Sequence, residues 1–341
     1  MKKFFALLLA LAMILALSAC GEKQQEPSNE GDEQDNTPAQ TFNFKVSITQ
    51  ASTDPLATYT QQWMDEVTEK TNGAVTFEFH PNGELGTIND VCEQISRGAS
   101  IIAYAGPDAF MATAPDLAIL NSQYCLTDAS QIDLINDSDW FKGQVDNLAA
   151  NARILSWNYF TGYRHILSKT PINTPDDMNG VQIRVADSAA AIAFVKALGA
   201  SPVVTNWNEV YSSLSTNIVS AAEAPLATLY SSSLQEVAKY CTLTQHLVST
   251  GMMVMPEDIF ESMPEEYQQI LLDAVYQAGS DFTAYNLQSE QDYQAKMEEA
   301  GVTFITPDVS AFAEKAASMY TSGDLSFPDG LYEQIQEIIK Q

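Results

Sequence analysis

The chain has 341 residues, and 44 acidic against 16 basic side chains give it a formal net charge of −28. So negative a field opposes nucleic acid and makes anionic membrane surfaces poor partners. The Debye length is ~8 Å at physiological salt, so a local arginine still decides what binds beside it.

Lys2 and Lys3 precede an unbroken apolar run from Phe4 to Leu17, and Leu17-Ser18-Ala19-Cys20 has the form of a lipobox. The run is shorter than the ~20 residues a membrane-spanning helix needs. Residues 1–19 are therefore expected to be a cleaved lipoprotein signal peptide, with Cys20 as the lipidated residue. Residues 20–41 then form an acidic, disordered tether without apolar periodicity. The product is extracytoplasmic, touches the membrane only through its lipid anchor, and is expected to be a monomer. Three cysteines remain, Cys92, Cys125 and Cys241, and an odd count excludes full intramolecular pairing. Buried free thiols are the favoured reading; a Cys92–Cys125 bridge stays open, since distance decides it.

Roughly 300 residues follow the tether, more than one comfortable core, so two domains are expected. Phe42 to Thr49 alternates as a strand, and Pro55 to Asn72 is an amphipathic helix carrying Leu56, Tyr59, Trp63 and Val67, closed by Gly73. A strand over Val75 to Phe79, a helix from Ile88 to Ser96 and a strand from Ser100 to Tyr104 complete a βαβαβ opening. Further on, Val181-Gln182-Ile183-Arg184-Val185 alternates again, which turns Arg184 away from the apolar face. Ser188 is a candidate N-cap and Gly199 a candidate C-cap for the alanine-rich helix between them. A short strand from Ser201 to Thr205 leads into Asn206-Trp207-Asn208-Glu209, which has capping-box spacing. The helix it starts presents Trp207, Tyr211 and Leu214 and ends at Asn217. Pro264 to Ala300 reads as almost continuous helix, interrupted only at Gly279 and closed by Gly301. At 1.5 Å per residue it spans ~55 Å, too long for one small domain, so it is expected to bridge two lobes.

Gly162-Tyr163-Arg164, Pro171 to Gly180, Val181 to Val185, Leu198 to Val203, Glu209-Val210-Tyr211 and Glu223-Ala224-Pro225 together resemble the signature of the DctP-type extracytoplasmic binding subunits of TRAP transporters. Thr71-Asn72-Gly73, Pro81 to Gly86 and Gln94 to Gly98 are similar to that family's first domain, and the likeness runs from about Phe42 to the C-terminus. The resemblance implies an α/β, two-lobed periplasmic-binding-protein-like fold with a long helix bridging both lobes. On this reading lobe I is 42–161 plus 250–288, and lobe II is 162–249 plus 289–341. It further implies that Arg184 pairs with a ligand carboxylate, that Arg164 assists, and that Trp207 lies against the ligand. Tyr104, Thr49 and Glu223 complete the candidate ligand-binding set. The implied ligand is a small organic acid. The implied partners are a small and a large TRAP membrane subunit, driven by a sodium gradient.

The chain departs from that pattern over Val219-Ser220-Ala221-Ala222-Glu223-Ala224-Pro225. Where the family usually carries an asparagine before the proline, Ala224 offers no hydrogen bond, so the expected ligand is an acid with an apolar or aromatic body rather than a hydroxylated one.

Each candidate also has a plainer role. Arg164 is also read as a surface arginine or as a partner for Asp176 or Asp177, Glu209 as a structural cap, and Trp207 as a cover for the core. Tyr104 faces cleft or core alike, and Glu223 is a helix-start acid favoured by the dipole. Catalysis finds little support: His80, His165 and His246 lack zinc spacing, and no HExxH, GxSxG or glycine-rich phosphate loop occurs. No catalytic residue, metal or cofactor is expected. The alternatives are a binding protein of an ABC importer and, further off, an extracellular hydrolase.

Overall fold

Alternation decides the first strand. In the computed structural model, which describes residues 40–110 and 113–340, Phe42, Phe44 and Val46 of β1 (Phe42–Ser47) are buried while Asn43 and Lys45 are exposed. The signal peptide, Cys20 and almost all of the tether lie outside the described residues. Asp54 then caps α1 (Pro55–Lys70) by accepting the Leu56 N–H at 2.9 Å, and Pro55 supplies the preset φ of a first helical position. Next come β2 (Val75–His80), α2 (Ile88–Ser96) and β3 (Ile101–Ala105), the expected βαβαβ unit. Thr87 and Asp90 form a reciprocal capping box at the start of α2.

Two short helices, α3 (Gln131–Asp137) and α4 (Asp139–Leu148), precede the long strand β4 (Arg153–Ser168). The second α/β unit comprises β5 (Gln182–Val185), α5 (Ala189–Ala197), β6 (Ser201–Val204), α6 (Val210–Ser215), β7 (Ala221–Pro225) and α7 (Leu226–Ser231). A second long strand, β8 (Tyr240–Met255), leads through α8 (Glu257–Ser262) to α9 (Glu265–Glu299), and β9 (Thr303–Ile305), α10 (Val309–Ala316) and α11 (Leu331–Ile338) close the chain.

The strands form a single sheet in the order β2-β1-β3-β8-β4-β7-β5-β6, with β9 beside β8. Parallel strands β1, β2 and β3 make one end and β5, β6 and β7 the other. Between them β4 and β8 run antiparallel for 16 residues each, and both ends of the sheet are built on this pair. Helices cover both faces. Trp63 and Phe282 pack under the first end, while Phe194 and Phe312 pack under the second.

The ladder between β4 and β8 changes register between Phe160 and Gly162, and again on either side. Such bulges leave backbone groups unpaired. Here α9 takes them up: Thr283 Oγ1 accepts the Phe160 N–H at 2.9 Å, and the Asn286 amide donates to the Phe160 carbonyl at 2.9 Å. Tyr159 adds a hydrogen bond from its hydroxyl to the Val275 carbonyl at 2.8 Å. Over its 35 residues α9 buries Leu271, Val275 and Phe282 against one end of the molecule and Tyr293 and Met297 against the other, so the expected bridging helix is present.

Gly279 does not interrupt that helix, contrary to the sequence expectation. Its role is close approach, since a Cβ there would stand 2.1 Å from Asn158 Oδ1 and 2.7 Å from the Tyr159 ring. The three cysteines are free and buried, and burial pushes the thiols of Cys92 and Cys125 up to about 12.

Inside a helix, Gly→Ala ordinarily gains ~0.5–1 kcal/mol. Gly279→Ala is expected to reverse that sign and lose ~1–3 kcal/mol through overpacking against β4. Urea unfolding measures it, and a stabilised variant would show that α9 does not rest on Asn158 and Tyr159.

Candidate functional site

The carboxyl ends of the parallel strands converge on one cleft of about 580 Å³. This is where open α/β sheets place ligands. Thr49 follows β1, Asn82 to Asp90 follow β2, Tyr104 and Asp108 come from the end of β3, and Val204 to Glu209 follow β6. The floor comes from the central pair, with Thr161 and Arg164 of β4 and Ser249 and Thr250 of β8.

Two arginines stand in the wall. Arg164 makes a two-point fork with Glu223, from Nε to Oε2 at 2.5 Å and from Nη2 to Oε1 at 2.7 Å. Burial raises a carboxyl pKa, but Arg164 and His246 outweigh it, and Glu223 is held at about 2. His246 is fully buried, stacked at 4.8 Å on Phe194, and burial pulls its pKa down. A neutral ring fits its partners. The Thr244 hydroxyl donates to Nδ1 at 2.8 Å, and Nε2–H donates to Glu223 Oε2 at 3.1 Å, which can only accept. Thr244, His246, Glu223 and Arg164 thus form one buried chain of hydrogen bonds.

Arg184 is held differently. It is only 4% exposed, yet among the described residues it has no carboxylate partner. Its Nε and Nη2 both donate to the Thr205 carbonyl, at 3.0 and 2.7 Å, and its guanidinium lies 5.1 Å from the centre of the Trp207 ring. Burial lowers its pKa to about 10, with Glu223 opposing and Arg164 reinforcing the shift. The group remains a cation at neutral pH. The trio Arg164, Glu223 and Arg184 therefore carries one uncompensated positive charge.

Of the six ligand-binding candidates, Arg184, Arg164, Trp207, Tyr104 and Thr49 all line the cleft. Glu223 does not. It is a β7 residue, 3% exposed, standing behind Arg164 with both oxygens engaged, and not a helix-start acid. The surface partners considered for Arg164 are occupied elsewhere: Asp176 meets Lys315 at 2.8 Å, and Asp177 caps Thr174. Tyr104 serves cleft and core together, since it is 7% exposed and packs edge-on against Tyr159. Trp207 is half-buried and donates from Nε1 to Ser232 Oγ at 3.0 Å, while Glu209 accepts the Asn206 N–H at 3.3 Å as a cap.

Ala224 does face the cleft, and the rest of the wall is rich in polar groups. Gln50, Asn82, Asn89, Asn121, Thr161 and Ser249 supply amides and hydroxyls from loops whose placement no local pattern reveals. Sequence reading also missed Asp54. It is 3% exposed and accepts from Thr228 at 3.1 Å and Ser231 at 3.2 Å, linking the start of α1 to α7. Its only sequence signal is that of a helix cap.

Comparison with known proteins agrees with this architecture. Residues 46–323 match the model of bacterial extracellular solute-binding protein family 7, DctP. A solute-binding protein of Sulfitobacter sp. is 31% identical over 216 residues, 63% of this chain and 66% of that protein. The ectoine/5-hydroxyectoine-binding periplasmic protein UehA of Ruegeria pomeroyi is 28% identical, covering 83% of this chain and 85% of its own. The crystal structure of a TRAP periplasmic solute binding protein from Ochrobacterium anthropi with bound L-fuconate superposes with a TM-score of 0.84 at 29% identity, over 88% of this chain and 99% of that one. With the family model spanning most of the chain and a cleft set at the strand ends of a two-lobed α/β fold, the chain belongs to the DctP family of TRAP solute-binding proteins.

Proposed function

We propose that this protein captures a small organic acid between its lobes and delivers it to the small and large membrane subunits of a TRAP transporter. The observation that carries the reading is Arg184, a buried cation on a cleft wall with no carboxylate of its own among the described residues. Removing one partner of a buried ion pair costs ~3–5 kcal/mol, so a ligand carboxylate that supplies the missing partner is strongly favoured. A guanidinium suits this because its planar donors match both carboxylate oxygens. Thr205 fixes the plane of the fork, and Arg164, held by Glu223, stands beside it as a second donor. The relatives named for ectoine and bound to fuconate handle ligands that share a carboxylate.

Closure follows from the same geometry. We place the lobe boundaries at 161/162 and 249/250, because Gly162 pairs with Ser249 and Phe160 with Thr250 where the ladder shifts. Lobe I is then 42–161 plus 250–288 and lobe II is 162–249 plus 289–341. Two of the three crossings lie side by side in the sheet and share one bending line, and the third, at 288/289, lies within α9. Capture needs no bond chemistry. Export as a lipoprotein anchored at Cys20 is the companion proposal, keeping the receptor near its transporter.

Arg184→Ala is expected to weaken binding on the order of 30-fold to several thousand-fold, as for loss of one member of a buried charge pair. Arg184→Lys recovers only part of that. Calorimetry with a bound acid decides, and an affinity within twofold of wild type overturns the assignment. Small-angle scattering is expected to show a smaller radius of gyration with ligand, and melting temperature should climb with ligand concentration. Ligand that raises the melting point without compaction would remove the closure step. Finally, Ala224→Asn is expected to shift competition among carboxylates towards hydroxylated acids while leaving the Arg184 contact in place; an unchanged ranking places Ala224 out of the ligand's reach.

A further inference from the structure

The charges around the cleft do not match a simple anion. Its lining contains two cations, Arg164 and Arg184, and four acids, Asp90, Asp108, Asp187 and Glu209. Lysine is absent from that lining. Glu223 neutralises Arg164 from behind, and a ligand carboxylate neutralises Arg184. Asp90 and Glu209 are exposed and spend their carboxylates on capping Thr87 and Asn206, and Asp187 is exposed at the mouth. Asp108 is the exception. It is half-buried on the turn Pro107–Phe110 after β3, and among the described residues it makes no hydrogen bond or ion pair.

Its surroundings are shaped for a ligand group. Asp108 Oδ1 lies 2.8 Å from the point where a Cβ on Gly106 would stand, and the Asn121 amide nitrogen lies 3.6 Å from it, so the bare glycine keeps this corner open. At the Arg184 end of the same cleft, Thr205 Oγ1 is buried and among the described residues has no hydrogen-bond partner. A buried polar group without a partner is costly, so its presence in the wall points to an incoming one. Arg164 feels the Asp108 charge, which puts the acid on the same stretch of cleft as the carboxylate fork.

We propose that the ligand is a zwitterion: its carboxylate meets Arg184, and a positively charged nitrogen on the same molecule meets Asp108. This rests on the carboxylate-capture reading and deepens it. Arg164, Arg184, Glu223 and Asp108 sum to zero charge. A plain carboxylate would leave Asp108 unpaired as the cleft closes and water leaves, whereas a zwitterion keeps the closed site neutral with each charge opposite its complement.

The test uses matched acids that differ only in the cationic group: D-glucosaminate against D-gluconate, 4-aminobutyrate against 4-hydroxybutyrate, and glycine betaine against 3,3-dimethylbutyrate. Each is titrated by calorimetry into the full chain, into Asp108→Asn and into Arg184→Ala, with melting curves confirming that the variants fold. The expected result is that the nitrogen member of a binding pair is tighter by tenfold or more, and that Asp108→Asn shrinks the ratio to within about threefold. Arg184→Ala should weaken both members of that pair. Equal or tighter binding of the uncharged partner, or a ratio that survives Asp108→Asn, overturns the zwitterion assignment. If Arg184→Ala still abolishes binding in that case, carboxylate capture stands alone; if Arg184→Ala leaves binding intact, the capture reading itself falls.

Discussion

The structure depends on one antiparallel pair. Strands β4 and β8, 16 residues each, are the only elements that belong to both ends of the sheet among the described strands, and each end is a parallel α/β unit docked on one edge of that pair. At ~3.3 Å per residue such strands reach ~50 Å, close to the ~52 Å of the 35-residue α9 that lies along them. The ladder shifts register several times along β4, and α9 satisfies the backbone groups these shifts release through Thr283 and Asn286. The bulged middle is also the floor of the cleft, so the place where the ladder is most irregular lies under the cleft.

Electrostatics divides the site into a finished half and an unfinished one. Thr244, His246, Glu223 and Arg164 satisfy each other, and Glu223, held at about 2, stays ionised throughout the neutral range. Such a chain has little freedom, because moving any member strands a buried polar group. Arg184 is oriented with equal care by Thr205 but left without an anion. A neutral carbonyl sets the direction of the fork without cancelling its charge. An aspartate at the same point would hold the arginine as firmly and remove its reason to bind anything.

Local pattern made much of this legible. The boundaries of α2, the capping at Asn206, the αL ends at Gly199 and Asn217, and the exceptional Arg184 on an alternating strand all follow from short-range chemistry. What escaped depends on long-range register. Glu223 is 59 residues from Arg164 and 23 from His246, and only the pairing of β4 with both β7 and β8 brings them together. Three scattered histidines therefore gave no hint that one of them orients the site. Gly279 misled for a related reason: a glycine in a helix signals weakness in isolation, and close approach only once β4 lies against it.

The division of labour between strands and loops explains why one family frame serves different ligands. Arg164 and Arg184 sit on β4 and β5, whose positions are fixed by pairing on both sides. Other polar groups of the lining come mainly from the ends of β2 and β3, where Asn82, Asn89, Asp108 and Asn121 stand outside the ladders of the described strands. Ala224 is the telling exception, because it lies within β7 opposite His165 and still reaches the cleft. The polar groups around it come from both sides of the cleft, Gln50, Asn82, Asn89 and Asn121 from one and Thr205, Asn206, Asn208 and Ser249 from the other, so the wall is polar although Ala224 is not.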